Sequence, residues 1–109
     1  MLFCGSFRHP FRSTDVGRTW TRIAAGMVED TEVFAIDFAR DAPGTFWAAT
    51  CGWVYRSTDG GTSWTRMTGT PLAAATDVTI DPTAPATVVA SFWGGAIYRS
   101  TNAGESTCM

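Results

Sequence analysis

The sequence predicts an all-β fold built from short antiparallel strands in a repeating unit. Three observations carry that prediction. Phe34, Ile36 and Phe38 alternate with Val33, Ala35 and Asp37, and Val78 and Ile80 alternate between Asp77, Thr79 and Asp81, which is the period of a strand. No stretch keeps a 3.6-residue apolar period for three turns, so almost no helix is expected. A ten-residue element, Arg12-Ser13-Thr14-Asp15-Val16-Gly17-Arg18-Thr19-Trp20-Thr21, returns 44 residues later as Arg56-Ser57-Thr58-Asp59-Gly60-Gly61-Thr62-Ser63-Trp64-Thr65. It returns 43 residues after that, in degraded form, from Arg99 through Ser100, Asn102 and Gly104 to Thr107.

The strands follow in order within each period. Runs near 33–38, 45–50, 53–57 and 63–67 are bounded by clusters of Gly, Pro, Asp and Thr. The next unit gives runs near 76–81, 86–91, 96–100 and 105–108. Thr45 to Thr50 matches Thr87 to Phe92 in position, Phe11, Tyr55 and Tyr98 fill one slot, and Pro43 and Pro85 each precede a strand-like run. Four short antiparallel strands in about 43 residues is the arithmetic of a β-propeller blade. The units run over about 1–31, 32–75 and 76–109 of a single domain.

The repeated element reads physically as a hairpin connection. Its Asp can accept backbone N–H bonds one or two residues on. Its Gly supplies a backbone conformation that a side chain resists, and its Trp anchors the outgoing strand by burying a large apolar area.

These residues closely resemble the Asp-box, or bacterial neuraminidase repeat, of sialidase, sortilin and xyloglucanase-type propellers and of a photosystem assembly factor. Ser13, Asp15, Gly17, Thr19 and Trp20 fit one box, and Ser57, Asp59, Gly61 and Trp64 fit a second, with Ser63 in the Thr slot. The third keeps Ser100 and Gly104 but has Asn102 for Asp, Ser106 for Thr and Thr107 for Trp. The resemblance implies that the box is a structural hairpin on the blade periphery. Asp15 and Asp59 are then turn-formers and not catalytic carboxylates or metal ligands. A secreted or periplasmic location is also what the resemblance implies.

Met1 opens directly in a run, Leu2 to Ser6, that aligns with the second strand of the next unit, and the end falls in the third hairpin. The expectation is a partial propeller of about two and a half blades, against the four to eight of closed rings. Such a piece exposes sheet faces and edges, so it needs further blades or self-association to close a ring.

Composition narrows function without naming it. The 109 residues carry eight basic side chains, all Arg, against ten acidic ones, for a net charge of -2. That balance argues against a nucleic-acid or membrane-surface binder, and no apolar run approaches the roughly 18 residues of a membrane span. Cys4, Cys51 and Cys108 are an odd set without CxxC spacing, read as free thiols. No metal site, phosphate loop or cofactor motif is present in the sequence.

Candidate ligand-binding residues come from the loops that, by the resemblance, line the functional face. These are 7–10, 51–53 and 92–95 between strands two and three of each blade, and 24–31 and 68–75 between blades. Trp53, Phe92 and Trp93 are aromatic residues in Gly-bearing loops, suited to stacking on a sugar or gripping a peptide. The competing reading is that they pack between blades. Arg8 and His9 flank the first loop, where a lone His is most simply a loop residue.

Asp37 and Asp77 lie on innermost strands and are weak candidates for the two carboxyl groups that glycoside hydrolysis needs. They occupy non-equivalent repeat positions, since Ala35 is the counterpart of Asp77, and an Asp there commonly caps backbone. Glu29, Asp30 and Glu32 read as a solvated acidic loop. The sialidase site implied by the resemblance uses an arginine triad, a Tyr-Glu pair and an Asp. Arg12, Arg56 and Arg99, and Tyr55 and Tyr98, instead recur with the box and so serve the blade. No catalytic residue is transferable. The leading expectation is a binding or scaffold module for protein, peptide or glycan. The alternatives are part of a glycoside hydrolase whose catalytic residues lie partly elsewhere, or a truncated product without autonomous activity.

Overall fold

The computed structural model describes residues 2–6, 8–27, 32–39, 44–67 and 74–102, and among them it holds ten β-strands and no helix. They form three antiparallel meanders. The first contains β1 (Leu2–Gly5), β2 (Pro10–Ser13) and β3 (Thr21–Arg22). The second contains β4 (Val33–Phe38), β5 (Phe46–Thr50), β6 (Val54–Ser57) and β7 (Thr65–Arg66). The third contains β8 (Ala75–Asp81), β9 (Ala84–Phe92) and β10 (Ile97–Ser100). The third sheet begins at Ala75, one residue ahead of the expected unit boundary. The strand expected near 105–108 lies outside the described residues.

The register makes the repeat explicit. Leu2 pairs with Ser13, Phe46 with Ser57 and Val88 with Ser100, so these three apolar residues are equivalent. Phe3, Trp47 and Val89 are likewise each opposite an Arg, namely Arg12, Arg56 and Arg99.

Two features depart from the simple pattern. The innermost strands are bulged, with a register shift between Val33 and Ala35 and another between Ala75 and Asp77. The extra residue re-aims its side chain and breaks strict alternation. Val33 is therefore buried in the same cluster that Ile36 packs against, while Phe34 and Thr76 are exposed. Pro85 lies inside β9 and not ahead of it. β9 begins at Ala84, directly after a tight turn, where a second register shift between Ile80 and Asp81 tolerates a missing N–H.

The repeated turn is held by side chains. Ser13 Oγ accepts the N–H groups of Asp15 at 3.3 Å and Gly17 at 2.8 Å and donates to Asp15 Oδ1 at 2.8 Å. Asp15 Oδ1 then accepts the Thr19 N–H at 2.8 Å, and the Thr19 hydroxyl donates to Oδ2. The Asp thus reaches four residues on, farther than its sequence context suggested, because Ser13 already serves the nearer N–H groups. Ser57, Asp59, Gly61 and Ser63 repeat the pattern at 2.8, 3.4, 2.9 and 2.9 Å. Gly17 and Gly61 adopt φ of 88° and 90°. Ser100 and Asn102 begin the same arrangement, with Ser100 Oγ donating to Asn102 Oδ1 at 2.8 Å. Gly104 lies outside the described residues.

The two Trp residues of these turns behave differently. Trp64 is buried, and it anchors a neighbouring sheet: its indole N–H donates to the Ile23 carbonyl at 2.7 Å and its backbone N–H to the Ala25 carbonyl at 2.8 Å. Trp20 is 42% exposed, with its indole N–H turned back onto the Gly17 carbonyl at 3.1 Å. Around Trp64, Ile23, Val33, Phe46, Ala48 and Tyr55 fill the space between the first and second sheets, with the Phe3 ring tilted against Phe46 at a centroid distance of 4.3 Å. Arg12 crosses the same gap to the Gly60 carbonyl at 3.0 Å. A second core joins the second and third sheets through Trp47, Ala49, Val54, Met67, Val78, Ile80, Val88 and Phe92.

Two tests follow from this packing. A Cβ on Gly26, at φ 90°, would lie 2.1 Å from the Trp64 carbonyl oxygen, whereas one on Gly52 meets nothing within 4 Å. Gly26→Ala is expected to cost about 2 kcal/mol or more in urea unfolding, and Gly52→Ala less than about 0.5 kcal/mol. Asp15 and Asp59 are held down at about 2 from an ordinary 3.8, first by the Thr19 or Ser63 hydroxyl and then by that residue's backbone N–H. A folded-state value below the unfolded one gives a contribution that is complete above about pH 4 and lost as pH falls through about 2. Thermal unfolding should weaken across that window, and Asp59→Asn should flatten the dependence.

Candidate functional site

The β1–β2, β5–β6 and β9–β10 hairpins lie at the opposite end of the strands from the box turns, and the first two share one construction. Ser6 Oγ accepts the His9 N–H at 3.1 Å and the Arg8 N–H at 3.4 Å and donates to the His9 carbonyl at 2.6 Å. Thr50 Oγ1 does the same for Trp53 and Gly52, at 3.1 and 3.4 Å, and donates to the Trp53 carbonyl at 2.6 Å. A short hydroxyl residue ending the second strand therefore fixes the loop and sets the direction of the side chain three residues on. His9 and Trp53 are equivalents in this frame. Phe7 lies outside the described residues.

Each of those two side chains faces an Arg from the outermost strand. Arg22 Nη1 stands 3.4 Å from His9 Nε2, and the Arg66 guanidinium lies over the Trp53 ring, 4.9 Å from its centroid. A guanidinium on an aromatic face is attracted by the ring quadrupole and keeps its remaining N–H donors available. His9 Nδ1 is buried and has no hydrogen-bond partner among the described residues. Arg8 is exposed beside it. The result is a rim of cationic and aromatic groups on two successive sheets.

The third hairpin is longer and differently built. Phe92 stands where Ser6 and Thr50 stand, so the hydroxyl is lost. Its carbonyl accepts the Gly95 N–H at 3.2 Å, and Gly94 and Gly95 take φ of 95° and 93°. Trp93 is 72% exposed at the tip, tied down by its backbone N–H to the Ala74 carbonyl at 2.9 Å. The equivalent bond runs from Cys51 to the Glu32 carbonyl at 3.1 Å.

Phe92 is not a ligand-stacking residue. It is the last residue of β9, only 3% exposed, and it meets Tyr98 edge-on at 5.5 Å inside the second core. Its ring points into the sheet packing and not into the loop that follows it. Of the other sequence candidates, Arg8, His9 and Trp53 fall on the rim just described, and Trp93 extends it onto the third sheet.

The two candidate carboxylates, Asp37 and Asp77, accept backbone N–H groups. Asp37 accepts the Phe38 N–H at Oδ1, 2.9 Å, and the Ile80 N–H at Oδ2, 2.8 Å. The second bond crosses from β4 to β8 and caps an outward N–H on an inner strand edge. Asp77 Oδ1 accepts the Val78 N–H at 2.8 Å, and the register confirms Ala35, not Asp37, as its counterpart. Glu32 is half-buried, while Glu29 and Asp30 lie outside the described residues. Cys4 and Cys51 are free and exposed, and Cys108 lies outside the described residues. Among the described residues, no group of three or more His, Cys, Asp and Glu is placed to hold a metal ion, and no helix is long and apolar enough to cross a membrane.

Sequence reasoning missed Ser6 with Thr50 and Arg22 with Arg66. The signal was available, since each pair is separated by the same 44 residues as the box. Thr50 is fully buried, so Thr50→Val strands the Trp53 N–H, while the Trp53 carbonyl keeps the Thr50 backbone N–H at 3.0 Å. It is expected to cost about 1–3 kcal/mol and to broaden the Trp53 indole resonance in NMR spectra.

No protein-family model and no curated protein matches the chain. Solved structures do. An ancestral GH74 enzyme superposes with a TM-score of 0.84 at 18% identity, over 97% of this chain and 16% of that one. GH74 from Niastella koreensis gives 0.75 at 24% identity, over 97% and 16%. YCF48 bound to D1 peptide gives 0.72 at 20% identity, over 94% and 34%. The chain thus spans about a third or less of the length of these proteins. At these identities the likeness is one of fold: the chain folds as successive blades of a β-propeller.

Proposed function

We propose that this chain is a segment of an Asp-box β-propeller that works as a binding module for a protein or peptide. The observation that carries this reading is the rim in which Arg22 faces His9 and Arg66 covers Trp53, with Trp93 exposed on the next hairpin. The Arg66 guanidinium over the Trp53 ring and Arg22 at His9 Nε2 suit a carboxylate-bearing partner, because each can keep that contact while donating to an oxygen. Propellers bind on the face lined by these connections, and fold alone does not choose the ligand. Support also comes from YCF48, whose solved complex holds a D1 peptide on a similarly folded chain. The assignment of the turns to the Asp-box type rests on their residues and their hydrogen bonding.

A second reading, part of a glycoside hydrolase, draws on the fold likeness to two GH74 enzymes. Hydrolysis needs two carboxyl groups free to act across a glycosidic bond. Asp37 has both oxygens on backbone N–H groups, which weighs against that reading for this chain alone.

Titration calorimetry with a peptide rich in Asp and Glu, its Asn and Gln counterpart, and soluble xyloglucan separates the readings. The acidic peptide should bind, with affinity falling as salt rises. Arg22→Glu and Arg66→Glu should each weaken it by about tenfold, roughly 1.4 kcal/mol. Binding of xyloglucan alone, or equal binding of both peptides, would overturn the proposal.

A further inference from the structure

His9 is the chain's only histidine, and its counterpart in the middle sheet, Trp53, carries no titratable group. Arg22 Nη1 stands 3.4 Å from His9 Nε2. A guanidinium has N–H donors and no acceptor, so this contact needs a lone pair on Nε2 and places the ring proton on Nδ1. A tautomer is usually fixed by a partner on the other ring nitrogen. His9 Nδ1 has no such partner among the described residues, and this chain's own atoms already bury it. The contact with Arg22 is then what sets the state of Nε2. Arg22 and Arg66 are register equivalents, opposite Phe11 and Tyr55. Arg66 is exposed although the middle sheet packs on both sides, so the exposure of Arg22 is a property of the blade.

We infer that a carboxylate bound at the rim brings a proton onto His9 Nε2, so that binding is coupled to proton uptake; this rests on the reading of the rim as a carboxylate site. In the free rim, a proton on Nε2 breaks the Arg22 contact and leaves two cations facing each other. A bound carboxylate supplies the missing counter-charge. One of its oxygens accepts from Arg22 and the other from protonated Nε2, and the direct contact becomes a bridge through the ligand. The proton comes from solvent. The bound state then holds more protons than the free state, and affinity rises as pH falls through the range in which histidine titrates. The other charged groups near the loop are Arg8 on it and Glu32 ahead of β4, where Val33 donates its N–H to the Ser6 carbonyl at 2.9 Å. Neither arginine titrates in that range.

Titration calorimetry of the full chain with the Asp- and Glu-rich peptide reads the coupling at about pH 7.5 and about pH 5.5, in buffers of different ionisation enthalpy. One proton sets a ceiling of about tenfold per pH unit, and the wild type should bind about fivefold or more tighter at the lower pH, with net proton uptake. Charge lost from the peptide's own carboxyl groups acts in the opposite direction. His9→Gln keeps the backbone bonds to Ser6 and should show neither the rise nor the uptake. The imidazole nitrogen NMR shifts of the free wild type should report a proton on Nδ1 and a bare Nε2 at the higher pH. With peptide at the lower pH, both nitrogens should carry one. Equal affinity at the two pH values, binding without proton uptake, or a proton on Nε2 of the free protein at the higher pH overturns the inference and leaves the binding reading standing. Absence of binding at both pH values overturns the two together.

Discussion

Trp64 leaves its own sheet to place its indole N–H on the Ile23 carbonyl and its backbone N–H on the Ala25 carbonyl. The remaining geometry of the first two blades depends on that crossing. A buried Trp removes on the order of 150–250 Å² from water, at most about 4–6 kcal/mol, and the two hydrogen bonds fix where that burial happens. Gly26 is held against the Trp64 carbonyl by it, Ile23 is drawn into the core, and Phe3 and Phe46 meet at 4.3 Å. The apolar term holds the sheets together, and the polar terms set how they are aligned.

The box turn makes this anchor possible. Ser57 and Asp59 together gather the N–H groups of residues 59, 61 and 63 around two side chains. The chain then leaves the turn on a fixed path, and Trp64 arrives already aimed at the preceding sheet. The same carboxylates are thereby withdrawn from chemistry. Asp15, Asp59 and Asp37 all serve backbone N–H groups, so these three carboxylates act in construction. The groups still open to a ligand are Arg and aromatic side chains at the other end of the strands, where Ser6 and Thr50 fix the loops. On the proposed reading, structure and recognition are divided between the two ends of the blades.

Much of this was legible in the sequence because the repeat is written in residues with strong local meaning. Ser, Asp, Gly and Trp at fixed offsets specify a turn and its anchor, and spacings of 44 and 43 residues specify the blade. What was illegible depends on facing. The bulges at Phe34 and Thr76 leave no residue signature, yet they decide which of Val33 and Phe34 is buried. Phe92 looked like a loop aromatic because Gly94 and Gly95 follow closely, whereas the strand runs one residue past the expected 86–91 and carries the ring into the core. Trp20 and Trp64 are indistinguishable as letters, and only the sheet lying beside Trp64 separates them. Arg22 and Arg66 sit on two-residue strands, too short to show a pattern, and their roles emerge only with His9 and Trp53 opposite them.

The central claim, that the box Trp is a clasp between sheets and not merely an anchor of its own strand, is tested most directly by paired substitution. Trp64→Phe and Trp20→Phe remove the same indole N–H from the same turn in two settings. Urea unfolding should show Trp64→Phe destabilised by about 2–4 kcal/mol and Trp20→Phe by less than about 1 kcal/mol. Equal losses at the two positions would contradict the account, because they would locate the value of the Trp within its own hairpin.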